Sequence, residues 1–301
     1  MPTAHSSPTV NRVMTDARAA SFTTRSIKTT AKDAGLRLAL SMVDLTTLEG
    51  KDSPDKVRSL CAKARAPLPG ADDVPHVAAV CVYPAMVPAA RDALAGSGIR
   101  VASVATGFPS GQYPLNIRLR DTEKAIADGA DEIDMVISRG AFLAGRYAEV
   151  AHEIAEVTAA CEAGGAHLKV ILETGELETY DNVRRASDLA IEHVRDGDFI
   201  KTSTGKVSPA ATMGVTLVML EAIRDAWLGG GKRIGMKPAG GIRTAKQSLH
   251  YLAMLKETLG DEWLTPELFR FGASSLTDDI LRQLVKRRTG VYPAMHDFGI
   301  A

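Results

Sequence analysis

What this 301-residue chain lacks narrows its function early. It has no excess of charge of either sign: 36 basic residues balance 36 acidic ones. The net charge therefore offers nothing to attract a polyanion, and neither a nucleic-acid nor a membrane partner is expected. No apolar run approaches the roughly 18 residues that a membrane helix needs, so a soluble protein is expected. Cysteine is scarce. Cys61, Cys81 and Cys161 are odd in number, widely spaced and form no C-x-x-C pair. That excludes a disulfide framework and a thiolate zinc site, and points to a reducing compartment, the cytoplasm. The histidines are His5, His76, His152, His167, His193, His250 and His296, and none stands in an H-x-x-x-H arrangement. No metal is expected from them. No G-x-G-x-x-G follows the first apolar strand, which removes the doubly wound dinucleotide-binding sheet, and no cofactor is expected.

What is present is an alternation of strand-like and helix-like stretches. Strands are expected at 38–46, 76–83, 99–106, 131–138, 167–174, 198–203, 233–239 and 269–274, with helical patterns between them. DSPDKVRSLCAKA starts with a cap-like Asp52 or Ser53 before Pro54. The later helices at 181–194 and 244–260 take Asp181 and Thr244 as caps. Eight such units over about 250 residues predict a single-domain (β/α)8 TIM barrel spanning 36–288. Residues 1–35 are rich in Ser, Thr, Ala and basic residues. That composition overlaps with a transit peptide, but a flexible or loosely docked N-terminal extension is the reading preferred here. Residues 289–301 form a C-terminal tail.

Polar residues inside the strands carry the chemistry. Successive strand side chains point to opposite faces. In EIDMVI, Ile133, Met135 and Ile137 share the helix-facing side, which sends Asp134 into the barrel. The same rule sends Lys169 and Glu173 inward from HLKVILE, Lys201 from DFIKTS and Lys237 from RIGMKPA. A single inward lysine would fit a structural ion pair. Three lysines and two carboxylates converging on strands four to seven fit a reactive site better. Lys201 and Lys237 lie near the C-terminal strand ends, where barrel enzymes place catalysis. Two ammonium groups brought close raise each other's cost, and a neutral amine in such a site is a nucleophile for a carbonyl. Lys201 is expected to form a Schiff base.

Three small-residue loops follow at the same mouth. They are TSTGK (202–206), PAGG (238–241) and GASS (272–275), the last leading into a helix at Ser275. Glycines and a helix start let backbone N–H groups approach an anion, so a phosphate is expected there, with Lys206 nearby.

At this point the residues resemble a known family. MVDLTTL (42–48), VCVYP (80–84), VASVATGFPSG (101–111), EIDMVI (132–137), LKVILETGEL (168–177), DFIKTSTGK (198–206), GMKPAGGIRTA (235–245) and FRFGASSL (269–276) are similar to 2-deoxyribose-5-phosphate aldolases, metal-free class I aldolases. The match runs in order from residue 38 to 284. It implies a (β/α)8 barrel and the reversible joining of acetaldehyde to glyceraldehyde 3-phosphate, in deoxyribose phosphate catabolism. It also implies Lys201 as the Schiff-base lysine, Lys237 as its tuning neighbour and Asp134 as the acid that moves protons through water. Lys169 and Asp44 fall on pocket positions, joined by Thr46 and Thr204 as substrate contacts. Gly205, Lys206, Gly240, Gly241, Ser274 and Ser275 match the phosphate end. The expected partners are a sugar phosphate and aldehydes, with a homo-oligomer, dimer or tetramer, as the assembly. Some members carry a C-terminal tyrosine that enters the site, whereas this chain ends HDFGIA and its nearest tyrosine is Tyr292. Another class I sugar-phosphate aldolase or transaldolase, and a non-catalytic sugar-phosphate-binding barrel, remain as alternatives.

Overall fold

The structure, a computed structural model, describes residues 7–294 and 297–298. His5 and His296, and the tail positions 295 and 299–301, lie outside the described residues. Eight strands form one sheet: β1 (Val43–Thr46), β2 (Ala79–Val82), β3 (Arg100–Val104), β4 (Glu132–Val136), β5 (His167–Ile171), β6 (Phe199–Lys201), β7 (Gly235–Lys237) and β8 (Phe271–Ala273). Their spatial order is β7-β6-β5-β4-β3-β2-β1-β8, and every hydrogen-bonded pair is parallel. Single bridges, Met236 to Phe269 and Ala239 to Gly272, join β7 to β8 and close the sheet. This is the expected (β/α)8 barrel.

Two helices, α1 (Arg12–Thr23) and α2 (Thr29–Ser41), precede β1. The strands are then followed in turn by α3 (Pro54–Arg65), α4 (Val87–Leu94), α5 (Leu115–Ala127), α6 (Arg139–Leu143) with α7 (Tyr147–Ala163), α8 (Tyr180–His193), α9 (Met213–Gly230), α10 (Ala245–Leu259) and α11 (Ser275–Thr289). The caps explain the helix starts. Ser53 caps α3 ahead of Pro54, and Thr244 caps α10 in a capping box with Gln247. For α8 the cap is Thr179, whose hydroxyl accepts from the Asn182 N–H. Asp181 instead sits in the first turn and accepts from the Val10 N–H at 2.7 Å.

The helix-facing side of the strands is apolar, as the two-residue period requires. Ile133, Met135, Leu168, Val170, Ile200 and Met236 all belong to the buried core between sheet and helices. One boundary differs from expectation. Leu38–Ser41 is the last turn of α2, and β1 begins only at Val43. The stretch buries Leu36, Ala39 and Leu40, a spacing of three and four that serves a helix face. Its alternate leucines at 36, 38 and 40 imitate a strand.

The N-terminal segment holds packed helices. α1 runs against α9 and α10 and buries Thr15, Ala19 and Phe22. Arg18 pairs with Glu221 of α9 at 2.6 Å, and the Tyr180 hydroxyl donates to Asp16 at 2.6 Å.

Candidate active site

Strand register sets the site. Asp134 on β4 stands opposite Lys169 on β5, and Lys201 on β6 stands opposite Lys237 on β7. Side chains at one level of adjacent strands, pointing to one face, meet inside the barrel. There the three lysines converge on one carboxylate. Lys201 Nζ and Lys237 Nζ donate to Asp134 Oδ2 at 2.7 and 2.8 Å, while Lys169 Nζ donates to Oδ1 at 3.1 Å. Lys237 also lies 2.6 Å from Asp44 Oδ2, and Lys169 lies 2.5 Å from Glu132 Oε2. Beneath them Arg270 joins Asp44 at 2.7 Å to Glu132 at 2.9 Å. All these groups are buried.

Burial disfavours every one of these charges, so the local pairing decides each protonation state. Burial lowers the affinity of Lys201 for its proton. Asp134 offsets only part of that and Lys237 adds to it, leaving Lys201 below the ordinary lysine range. For Lys237 the same burial is overcome by two carboxylates, Asp134 and Asp44, which hold its ammonium well above that range. Lys169 is likewise raised, burial being outweighed by Asp134 and Glu132. Asp134 is opposed by burial but surrounded by Lys169, Lys201 and Lys237, and its carboxyl falls well below the ordinary range. The site therefore holds one amine with a weakened hold on its proton among neighbours whose pairing favours their charged forms.

A cavity of about 530 Å³ opens at the C-terminal ends of the strands. Of the three interior lysines, Lys201 alone lines it. Asp134, Lys169, Lys237 and Asp44 do not line it and are fully buried. Thr46, Thr204, Gly205, Lys206, Gly240, Gly241, Ser274 and Ser275 all line the same cavity. The loops are tightly held. Glu173, buried at a positive φ of 55° just past β5, accepts from the Thr204 N–H at 3.2 Å and from the Thr204 hydroxyl, and the Thr204 hydroxyl in turn accepts from the Lys206 N–H at 3.1 Å. Gly240 has φ +79°, and a Cβ there would come within 2.7 Å of Ala210. At Gly272 a Cβ would meet Ala239 at 2.6 Å, so β7 and β8 can approach only at a glycine. Ser275 opens α11 with its unpaired N-terminal N–H groups, a place suited to an anion.

Several site residues escaped the sequence reading. Glu132 and Arg270 are part of the interior network, and Glu49, Lys63, Arg243 and Asp278 line the cavity. Alternation was a usable signal for the first two, since Glu132 is two residues before Asp134 and Arg270 is flanked by Phe269 and Phe271, both packed outward in the core. The mouth residues come from loops and helix starts, where no period marks them.

Tyr292 takes no part in the cavity. Its ring lies 4.2 Å from Lys286 Nζ on α11, and its side chain is exposed. Cys81 is buried beside the lysine cluster, and burial pushes its thiol up to about 11. Among the described residues, no three of the His, Cys, Asp and Glu side chains are arranged to hold a metal ion.

The sequence profile described as "DeoC/LacD family aldolase" matches residues 38–279. The chain belongs to that family. It is 50% identical over 283 residues to the deoxyribose-phosphate aldolase of Mus musculus, covering 91% of this chain and 88% of the mouse protein. The identity and coverage are the same for the deoxyribose-phosphate aldolase of Homo sapiens. Among solved structures, the deoxyribose phosphate aldolase from Aeropyrum pernix, described as a unique tetramer, superposes with a TM-score of 0.65 at 22% identity. That alignment covers 85% of this chain and 93% of the archaeal one, and at such identity it speaks to the fold alone.

Proposed function

We propose that this chain is an aldehyde-lyase that cleaves 2-deoxy-D-ribose 5-phosphate reversibly to D-glyceraldehyde 3-phosphate and acetaldehyde, a step of deoxyribose phosphate breakdown. The observation that carries the chemistry is that the one interior lysine pushed toward neutrality, Lys201, is also the one that reaches the cavity. Half identity to the mouse and human enzymes over nearly the whole chain carries the choice of substrate.

In the cleavage direction the Lys201 amine adds to the aldehyde carbon of the open-chain sugar and loses water to give an iminium. The iminium accepts the electron pair of the bond between sugar carbons 2 and 3 as the carbon 3 hydroxyl gives up its proton. Asp134 accepts from Lys201 Nζ at 2.7 Å and does not line the cavity, so its proton traffic with substrate runs through water, with Lys169 bound to its other oxygen. Lys237, fixed as an ammonium between Asp44 and Asp134, keeps positive charge beside Lys201 and disfavours its protonation. The enamine left behind is protonated and hydrolysed to acetaldehyde. At the other end, Thr204, Gly205, Lys206, Gly240, Gly241, Ser274 and Ser275 surround the phosphate, and Thr46 contacts the sugar. Anchoring the non-reacting end positions the reacting carbon.

The three cysteines are free and buried, which suits the cytoplasm. No helix among the described residues is long and apolar enough to cross a membrane. A homo-oligomer is the assembly we favour. The reading is tested on a panel of sugar phosphates, with acetaldehyde and triose phosphate as the measured products. Cleavage of 2-deoxyribose 5-phosphate should exceed that of fructose and sedoheptulose phosphates by orders of magnitude; a preference for a ketose phosphate would overturn it.

A further inference from the structure

Lys206 reaches the phosphate end of the cavity already paired. Its ammonium lies 2.9 Å from Glu49 Oε1, and Glu49 lies in the loop after β1, 157 positions away in the chain. The ion pair thus spans the cavity mouth, from the loop after β1 to the loop after β6. We infer that Glu49 sets the selectivity of this cavity for phosphorylated substrates, by competing with the incoming dianion for Lys206. The inference rests on the phosphate reading proposed above.

A carboxylate among loops built to receive an anion has a cost, because it repels the ligand that those loops attract. Its pairing with Lys206 removes that cost while the cavity holds no phosphate. The Glu49 side chain is 57% exposed and that of Lys206 32%, so the pair is water-screened and weak enough to exchange. The Glu49 backbone is held separately, its N–H donating to Asp52 Oδ2 at 2.9 Å, which leaves the side chain able to turn outward alone. A phosphate dianion offers Lys206 twice the charge that Glu49 does and takes its place; a neutral sugar does not. Besides Lys201, three other cations line the same cavity without serving this way. Lys56 is held at 2.6 Å by the buried carboxylate of Asp52. Lys63 is held by Asp278 at 2.5 Å and also donates to the Phe298 carbonyl, so it is bound from two sides. Arg243 has no side-chain partner among the described residues and can meet an anion without exchange. Of the cavity's cations, Lys206 is therefore the one whose availability a single exposed carboxylate controls.

The test uses the full chain, with inorganic phosphate as a competitor of unphosphorylated 2-deoxyribose. In Glu49→Gln the inhibition constant of phosphate should fall by a factor of up to about five, the range of an exposed ion pair. The ratio of kcat/KM for 2-deoxyribose 5-phosphate over that for 2-deoxyribose should rise by a similar factor. Inhibition of the wild type with a constant that is unchanged or weakened in Glu49→Gln overturns the competition alone, and makes Glu49 a support for Lys206 instead. Failure of phosphate to inhibit the wild type at all overturns the phosphate reading and the competition with it.

Discussion

Lys201 and Lys237 stand opposite one another on neighbouring strands and donate to the same oxygen of Asp134, at 2.7 and 2.8 Å. What separates them is a second carboxylate. Asp44 lies 2.6 Å from Lys237, while Lys201 turns its amine to the cavity. Two residues of identical chemistry are thereby shifted in opposite directions, Lys201 toward losing its proton and Lys237 toward keeping it, and the proposed division of labour between nucleophile and tuning charge follows.

Removing the tuning charge should be visible in the pH dependence. In Lys237→Leu the field of Asp134 on Lys201 is no longer shared, so Lys201 keeps its proton to higher pH. The reactive form is the neutral amine, so the rising limb of the pH–rate profile should move upward by about one unit or more. Neutral-pH activity should fall accordingly. A profile that keeps its position while activity drops would deny Lys237 the tuning role.

Arg270 should matter for stability and for its acid limit. Arg270→Met leaves Asp44 and Glu132 each short of a partner, and breaking a buried pair in this way costs about 3–5 kcal/mol. Both carboxyls are held below their ordinary values although burial opposes it, with Lys237 foremost in opposing burial at Asp44 and Arg270 foremost at Glu132. Lowered carboxyls stabilise the fold above the ordinary carboxylate range, and that stability is lost as pH falls through their folded values. The variant's acid-unfolding midpoint should thus move to higher pH, as read by circular dichroism against pH. An unmoved midpoint would mean that the lysines alone hold these carboxylates ionised.

The interior network was legible because strand alternation is strict. Asp134, Lys169, Lys201 and Lys237 interrupt apolar runs whose other members face the helices, so their direction follows from position. Arg270 lies just before β8 and Glu132 opens β4, where a polar residue passes for a strand edge. Leu38–Ser41 misled for the opposite reason, since alternate leucines satisfy both periods over so short a stretch. The ion pair of Glu49 with Lys206 was invisible, because nothing local links residues 157 positions apart.

Phosphate binding has its own test. Ser275→Asp places a fixed negative charge at the start of α11, on the cavity wall. At roughly 4 Å in a partly buried site, two such charges repel by about 4 kcal/mol before solvent screening. KM for 2-deoxyribose 5-phosphate should rise strongly while that for 2-deoxyribose changes little. Equal losses on both substrates would make these loops a wall of the mouth and nothing more.

Cys81 should be a poor target. Its thiol is buried, lines no part of the cavity, and is pushed up to about 11 by burial and by the nearby Asp134. The thiolate is the reactive form, so unsaturated aldehydes formed by self-condensation of acetaldehyde should inactivate wild type and Cys81→Met alike. Marked protection in Cys81→Met would show that the barrel interior opens far enough to expose this residue.

The central claim is that Lys201 forms the covalent intermediate. Incubation with acetaldehyde and borohydride, followed by peptide mapping by mass spectrometry, reads it directly. The account predicts a reduced two-carbon adduct on Lys201, abolished in Lys201→Leu, with Lys237 unmodified. A label mainly on Lys237, or full cleavage activity with no lysine adduct, would contradict it.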